Sequence, residues 1–200
     1  SWSDPVTVGF LLAGVVLLAL FIFIESRVAH PLLPLRVLKD RNRGAAYLTM
    51  AIAAVAMFGT FLFLTYLLQG ILMYSPVKTG AAFLPMTLVL MATSIFASIK
   101  LRPIFGPRPL MVAGMAVGAL GMILLTQLQA DSSYLSHVVP TLVMEGIGLG
   151  LIFATASNSA TLGLLPSDAG VGSATTNASQ QVGGSIGTAL LSTLAATATS

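Results

Sequence analysis

Six long runs of apolar residues, separated by short connections, constrain this chain more than any other feature. A helix that crosses about 30 Å of hydrocarbon needs roughly 20 consecutive apolar residues. Runs of this kind are Val6–Ile24, Gly44–Leu68, Gly80–Ile99, Leu110–Leu128, Val138–Leu162 and Ala174–Ala196. They are continuous rather than alternating, which favours helices over the strands of a membrane barrel. The sequence therefore predicts an all-α, polytopic membrane helix bundle of about six transmembrane helices.

Composition supports the membrane class and excludes several chemistries. Only 8% of the 200 residues are charged and 56% are apolar, whereas a soluble domain carries about 25% charged residues. Cysteine is absent, which excludes disulfides, thiolate metal sites and thiol nucleophiles. His30 and His137 fall in connections predicted on opposite sides of the membrane, so they cannot share a metal ion. With no phosphate loop, zinc-ligand spacing or nucleophile elbow, we expect no enzyme, no cofactor and no metal.

The nine basic residues are distributed unevenly among the connections. The connection after the first run holds five of them and the connection after the third run holds three, against one in the connection after the second run. The residues of these three connections are, in order, Arg27, Arg36, Lys39, Arg41 and Arg43, then Lys100, Arg102 and Arg108, and finally Lys78. The positive-inside rule places the first and third connections in the cytoplasm. Topology and anionic headgroups explain the net positive charge, so no nucleic-acid partner is expected.

Small residues and one proline predict how the helices pack. Glycine pairs spaced four residues apart lie in three of the runs, at 114 and 118, 146 and 150, and 183 and 187. Such faces let helix backbones approach closely. Pro85 removes a backbone hydrogen bond from the third run, so we expect a kink there.

Glu145 lies inside the fifth run, in the stretch TLVMEGIGLGLIF, with no basic residue nearby in the sequence. Counted from Val138 at 1.5 Å per residue, it lies roughly 10 Å into the membrane. An acid at that depth costs about 3 kcal/mol on insertion scales and is a functional hypothesis by default. It is predicted to be a protonatable or cation-attracting group. A salt bridge to an arginine outside this chain, or a helix start that leaves the acid near the headgroups, explains it as well.

The last run is the most polar of the six. Asn177, Gln181, Ser185, Thr188 and Ser192 recur at spacings of three and four, so they share one helical face. Lipid penalises such a face, which should point at protein or water. Hydrogen bonding between helices and contact with a substrate explain it equally well.

Four stretches of this sequence resemble one protein family. They are PLLPLRVLKDRNR (31–43), YLLQGILMYSPVKTGAAFLPMTL (66–88), FGPRPLMVAG (105–114) and DAGVGSATTNASQQVGGSIGTALLSTL (168–194). The chain is similar to the C-terminal portion of a major facilitator superfamily transporter, in the fourteen-helix drug:proton antiporter branch. The resemblance implies that residues 1–43 form an extra linker helix with its cytoplasmic basic loop. Residues 44–200 would then form the first five helices of the C-terminal transporter half.

The resemblance also implies a function and a set of partners. It implies proton-coupled efflux of amphipathic drugs or similar apolar compounds by alternating access in a bacterial cell membrane, with the proton gradient as the energy source. Glu145 would lie on a cavity-lining helix, and Asn177 and Gln181 would supply polar cavity contacts. The partners would be the bilayer, a small amphipathic substrate and the N-terminal half of the same chain, since Ser1 is not a Met and we expect a longer protein. An exporter of a native metabolite or lipid, and a non-transporting scaffold or truncated remnant, are the alternatives.

Overall fold

The computed structural model describes residues 4–28, 31–128 and 133–198, and the regular structure in these ranges is helical throughout. The chain divides into two compact units, Ser1–Arg41 and Asn42–Ser200. The assignment of residues 1–43 to a linker helix and of residues 44–200 to a transporter half stays a prediction.

The first unit is built around one apolar helix. Helix α1 (Pro5–Glu25) begins with Asp4, whose Oδ1 accepts a hydrogen bond from the Val6 amide at 2.8 Å, and Pro5 occupies its first turn. Its large apolar side chains are exposed, Phe10 by 76%. A helix that is apolar all round and exposed in the protein fits contact with lipid. Beyond it, Glu25 Oε2 accepts from the Leu33 amide at 2.8 Å, ahead of the short helix α2 (Leu35–Lys39).

The second unit contains the longer part of the chain. Its helices are α3 (Arg41–Thr65, which starts at the unit boundary), α4 (Pro76–Ala82), α5 (Leu84–Phe96), α6 (Arg102–Phe105), α7 (Pro107–Thr126), α8 (Val139–Thr161) and α9 (Ala169–Ala198). Single π-helical turns extend α3 (Tyr66–Ile71), join α5 to α6 (Ala97–Leu101) and lead into α8 (Tyr134–Val138), and a 3₁₀ turn (Pro166–Asp168) precedes α9.

Five helices in the described residues are long and apolar enough to cross a membrane. They are Pro5–Glu25, Arg41–Ile71, Pro76–Phe105, Pro107–Thr126 and Tyr134–Thr161. They contain the first three predicted runs and nearly all of the fourth and fifth, which confirms the helical membrane class. The sixth run, Ala174–Ala196, lies in α9, whose 30 residues reach roughly 45 Å. Its Ser, Thr, Asn and Gln content leaves α9 outside this apolar set.

The third predicted run is interrupted just before Pro85, where the sequence predicted a kink. Helix α4 ends at Ala82, Phe83 forms the junction, and α5 starts at Leu84 with the proline in its first turn. Proline lacks the N–H that would continue the α4 hydrogen-bond pattern. At the other end of α4, Ser75 Oγ caps the helix by accepting from the Lys78 amide at 3.3 Å.

Helix α8 is packed between α5 and α7 through glycines. A methyl group added at Gly146 would lie 2.7 Å from the Met86 carbonyl oxygen of α5, and one at Gly150 would lie 2.8 Å from the Leu90 carbonyl oxygen. On the opposite side, a methyl group at Gly148 would lie 2.7 Å from the Gly118 amide nitrogen of α7. The helix backbones therefore touch, as the glycine spacing predicted.

Helix α9 approaches α3 in the same manner. A methyl group at Gly183 would collide with the Ala51 carbonyl oxygen, and one at Gly187 would lie 2.9 Å from Val55 Cα. The close packing predicted for the third glycine pair is thus also present.

Polar side chains join three helix ends at one end of the second unit. Arg43 Nη2 donates to the Leu162 carbonyl at 3.1 Å, and Tyr47 Oη donates to the Ala160 carbonyl at 3.4 Å. Arg108 Nη2 donates to Asn42 Oδ1 at 2.8 Å. The start of α3, the start of α7 and the end of α8 therefore lie together, which agrees with the placement of Arg43 and Arg108 on one side of the membrane.

Candidate functional site

Glu145 is fully enclosed by the helices of the second unit. It lies on α8, its exposed fraction is 0%, and it is among the largest completely buried side chains. Its carboxylate points at α7, where a methyl group added at Gly121 would lie 3.0 Å from Oε1. Neither carboxylate oxygen has a hydrogen-bond partner within the ranges that the structure describes. An acid without a donor in such a place is a costly arrangement that packing alone does not require.

Glu145 lies further along its helix than the sequence count gave. The membrane-spanning helix starts at Tyr134 rather than Val138, so the acid lies roughly 16 Å along it. The resemblance placed Glu145 on a cavity-lining helix, but its side chain turns toward the neighbouring helix α7 instead of an open surface.

Gln181 lines a shallow groove between α9 and α3, on a different surface. The groove has a volume of about 390 Å³ and is lined by Phe58, Gln181, Gly184, Ser185, Thr188 and Ala189. The Phe58 ring lies close over Gly184, where an added methyl group would be 2.7 Å from its Cε2. The glycine thus leaves room for an aromatic wall beside a polar helix face.

The hydroxyl groups of the groove bond to their own helix. Ser185 Oγ donates to the Gln181 carbonyl at 2.8 Å, and Thr188 Oγ1 donates to the Gly184 carbonyl at 2.9 Å. Their protons are used in this way, so these hydroxyl oxygens remain available only as acceptors. The Gln181 amide adds both donors and an acceptor. An aromatic ring with a few polar groups suits an amphipathic molecule.

The three predicted site residues do not form one site. Asn177 is exposed on α9 one turn before Gln181, but it does not line the groove, and neither does Glu145. The assignment of these residues to substrate or proton binding stays a prediction. Sequence reasoning missed Phe58 and Gly121, because an aromatic residue or a glycine inside an apolar run carries no signal of its tertiary neighbours.

The histidine and acidic side chains are dispersed in the described part of the chain. No group of three or more His, Asp or Glu side chains lies together there. The Ser136 hydroxyl lies 2.8 Å from His137 Nδ1. His30 lies outside the described residues.

Comparison with known proteins identifies the family. The model of the Major Facilitator Superfamily matches residues 4–188. The chain belongs to the major facilitator superfamily. It is 43% identical over its whole length to the puromycin resistance protein of Streptomyces alboniger and 32% identical over its whole length to a cephamycin export protein of Amycolatopsis lactamdurans. It is also 32% identical, over 98% of its length, to the tetracenomycin C resistance and export protein of Streptomyces glaucescens.

This major facilitator chain corresponds to part of each relative. It spans 40%, 41% and 36% of the lengths of these three proteins. The names of these three relatives refer to resistance, to export or to both.

Proposed function

We propose that this chain is the C-terminal portion of a proton-coupled exporter of amphipathic drugs or similar apolar compounds. Similarity over the whole chain to a puromycin resistance protein carries the proposal, and the two export proteins support it. The exporter resides in a bacterial cytoplasmic membrane and belongs to the fourteen-helix branch. It works by alternating access, in which this half and an N-terminal half rock around a site near the midplane.

The groove on α9 supports the substrate class. Its volume of about 390 Å³ falls in the range of roughly 300–1,000 Å³ typical of pockets for drug-sized molecules. The Phe58 ring contacts the apolar part of the substrate, and the Gln181 amide contacts a polar group. The complementary wall of the site comes from the N-terminal half.

The test is drug accumulation in inverted vesicles that contain the full-length parent. Puromycin is the first compound to use, because the relative with 43% identity is named for resistance to it. A proton gradient, acid inside, should drive accumulation, and a protonophore should abolish it. Accumulation without dependence on the gradient would contradict proton coupling. Failure with every drug tested, together with competition by cell-derived compounds, would favour a metabolite or lipid exporter.

Gln181→Leu tests the groove in the same assay. Removing the amide while keeping the volume should raise the KM for puromycin by about 2- to 10-fold, the value of one hydrogen bond. Gln127→Leu is the matched control, since Gln127 is exposed at the C-terminal end of α7 and does not line the groove. Equal effects of the two changes would remove Gln181 from the site.

A further inference from the structure

Glu145 occupies a closed space that excludes anything larger than a proton. The atoms of Gly121 lie so near that a single added methyl group would be 3.0 Å from Oε1 and 3.2 Å from Cδ. An organic cation therefore has no room beside the carboxylate while α7 and α8 are packed as described. The side chain also has no exposed surface. A salt bridge from an N-terminal half would thus require α7 or α8 to move first.

The helices around Glu145 offer no charge to pair with it. Helices α5 and α9 contain no titratable residue. In α7 the charged residue is Arg108, roughly 20 Å along the helix from Gly121. The titratable residues of α3 lie near its start, at the end of the bundle where the Tyr47 hydroxyl meets the Ala160 carbonyl. This end is roughly 22 Å from Glu145 along α8, and the residues are Arg41, Arg43 and Tyr47. In the π-helical turn between α5 and α6, Lys100 is exposed. In the turn that leads into α8, Tyr134 and His137 precede Glu145 by roughly 12 Å or more along the helix.

We propose that Glu145 is a proton-binding site internal to this half, closed by Gly121 and separate from the groove on α9. A proton joins one carboxylate oxygen to give a neutral acid, which the closed packing accommodates. Release of the proton leaves a carboxylate that needs water or a donor, and the packed helices supply neither. Exchange of the proton therefore requires α7 to move away from α8.

The contact between α7 and α8 is close along its glycines. Backbone atoms of Gly114 and Gly118 lie directly against Gly148, and the Leu151 and Ile152 side chains of α8 pack against Gly114. Small residues let the two backbones approach closely, and movement of α7 away from α8 would break these contacts. The place of this proton in a transport cycle rests on the proposed function, but the site itself is testable without any drug.

The first experiment is infrared difference spectroscopy of the full-length parent in vesicles of phosphatidylethanolamine and phosphatidylglycerol. Spectra recorded between acid and alkaline pH should contain a band of a protonated carboxyl group that Glu145→Gln removes. Glu25→Gln is the matched control, because that glutamate accepts a hydrogen bond from the Leu33 amide, and it should leave the band in place. The band should exchange slowly with deuterium. A band that survives Glu145→Gln, or one that exchanges as rapidly as surface carboxyl groups, would overturn the proposal.

Gly121 is a positioning residue, and a pair of alanine substitutions tests it. Gly121→Ala should shift the carboxyl band and speed its deuterium exchange by at least about tenfold, because the methyl group displaces the carboxylate. Gly118→Ala should do neither, since a methyl group there meets no described atom within 4 Å. If Gly121→Ala fails to fold, adding Glu145→Asp should restore folding, because aspartate is one methylene shorter. No shift in the folded variant, or no rescue in the other case, would remove Gly121 from the site.

The two proposals fail in different ways. Proton-driven puromycin accumulation by the parent without a Glu145 carboxyl band would remove the internal proton site and leave the export function standing. A Glu145 carboxyl band in a parent that transports no drug would support the internal proton site and remove the export function.

Discussion

At the scale of single residues, Gly148 and Gly118 face each other across one helix contact but respond differently to an added methyl group. The methyl group at Gly148 would meet the Gly118 amide nitrogen at 2.7 Å and the Gly114 carbonyl oxygen at 2.9 Å. Both are backbone atoms, which cannot rotate away. A methyl group at Gly118 meets no described atom within 4 Å.

Gly148→Ala should therefore lower the stability of the protein. We expect a loss of about 1–3 kcal/mol from overpacking, offset in part by the roughly 1 kcal/mol that alanine gains over glycine in a helix. Gly118→Ala should be neutral or stabilising by up to about 1 kcal/mol. The measurement is the temperature at which the purified full-length parent loses its monodisperse peak in detergent. Equal midpoints for the two variants would contradict the packing described for α7 and α8.

Gly183→Ala should be similarly unfavourable at the contact between α9 and α3. The methyl group would collide with the Ala51 carbonyl oxygen, whereas one at Gly170, in the first turn of the same helix, meets no described atom within 4 Å. We expect a loss of about 1–3 kcal/mol for Gly183→Ala and little change for Gly170→Ala. The same detergent assay checks both, and a Gly183→Ala protein as stable as the parent would be inconsistent with backbone contact.

Residue identity revealed Glu145 but not its surroundings. An acid in an apolar run is visible in the sequence because its cost in lipid is large. Its enclosure by Gly121 depends on how α7 and α8 are aligned, and hydropathy contains no information on that alignment. Phe58 was missed for the same reason, since its groove exists only once Gly184 and α3 are adjacent.

At the scale of elements, the interruption between α4 and α5 comes from one proline. Pro85→Ala restores the missing N–H, so the two helices should join through Phe83. Amide hydrogen exchange of the peptide around residues 83–88 in the full-length parent should slow by about tenfold, the effect of one added hydrogen bond of roughly 1.4 kcal/mol. Lys78→Ala, in the neighbouring turn, is the control and should leave this peptide unchanged. Unaltered exchange in Pro85→Ala would assign the interruption to tertiary packing.

The approximate positions of the long helices were predictable, whereas helix ends and irregular turns were not. Val138 was taken as the start of the fifth run, but a π-helical turn begins at Tyr134. The Tyr134 hydroxyl donates to the Ala82 carbonyl of α4 at 2.8 Å, and this tertiary contact has no signature in local hydropathy. The polar character of α9 was predicted, and the Ser185 and Thr188 hydroxyls donate to carbonyls of their own helix.

At the scale of the whole molecule, the distribution of basic residues predicts an orientation that labelling can test. The chain has no cysteine, so single cysteines can be introduced in a parent freed of any cysteine elsewhere. Lys78→Cys should react with a membrane-impermeant maleimide in intact cells, and Lys39→Cys should react only in inverted vesicles. Both side chains are exposed, so accessibility does not bias the comparison. The opposite pattern would reverse the assigned topology.

The contrast between α1 and α8 has a consequence for how the sequence can vary over evolutionary time. Methyl groups added at Gly9 or Gly14 of α1 meet no described atom within 4 Å, whereas Gly146, Gly148 and Gly150 of α8 each touch the backbone of a neighbour. An apolar side chain of ordinary size fits at the α1 positions, whereas almost no side chain fits at the three α8 glycines. Two helices of one chain should therefore drift at very different rates, with α1 accumulating neutral exchanges while α8 retains its glycines.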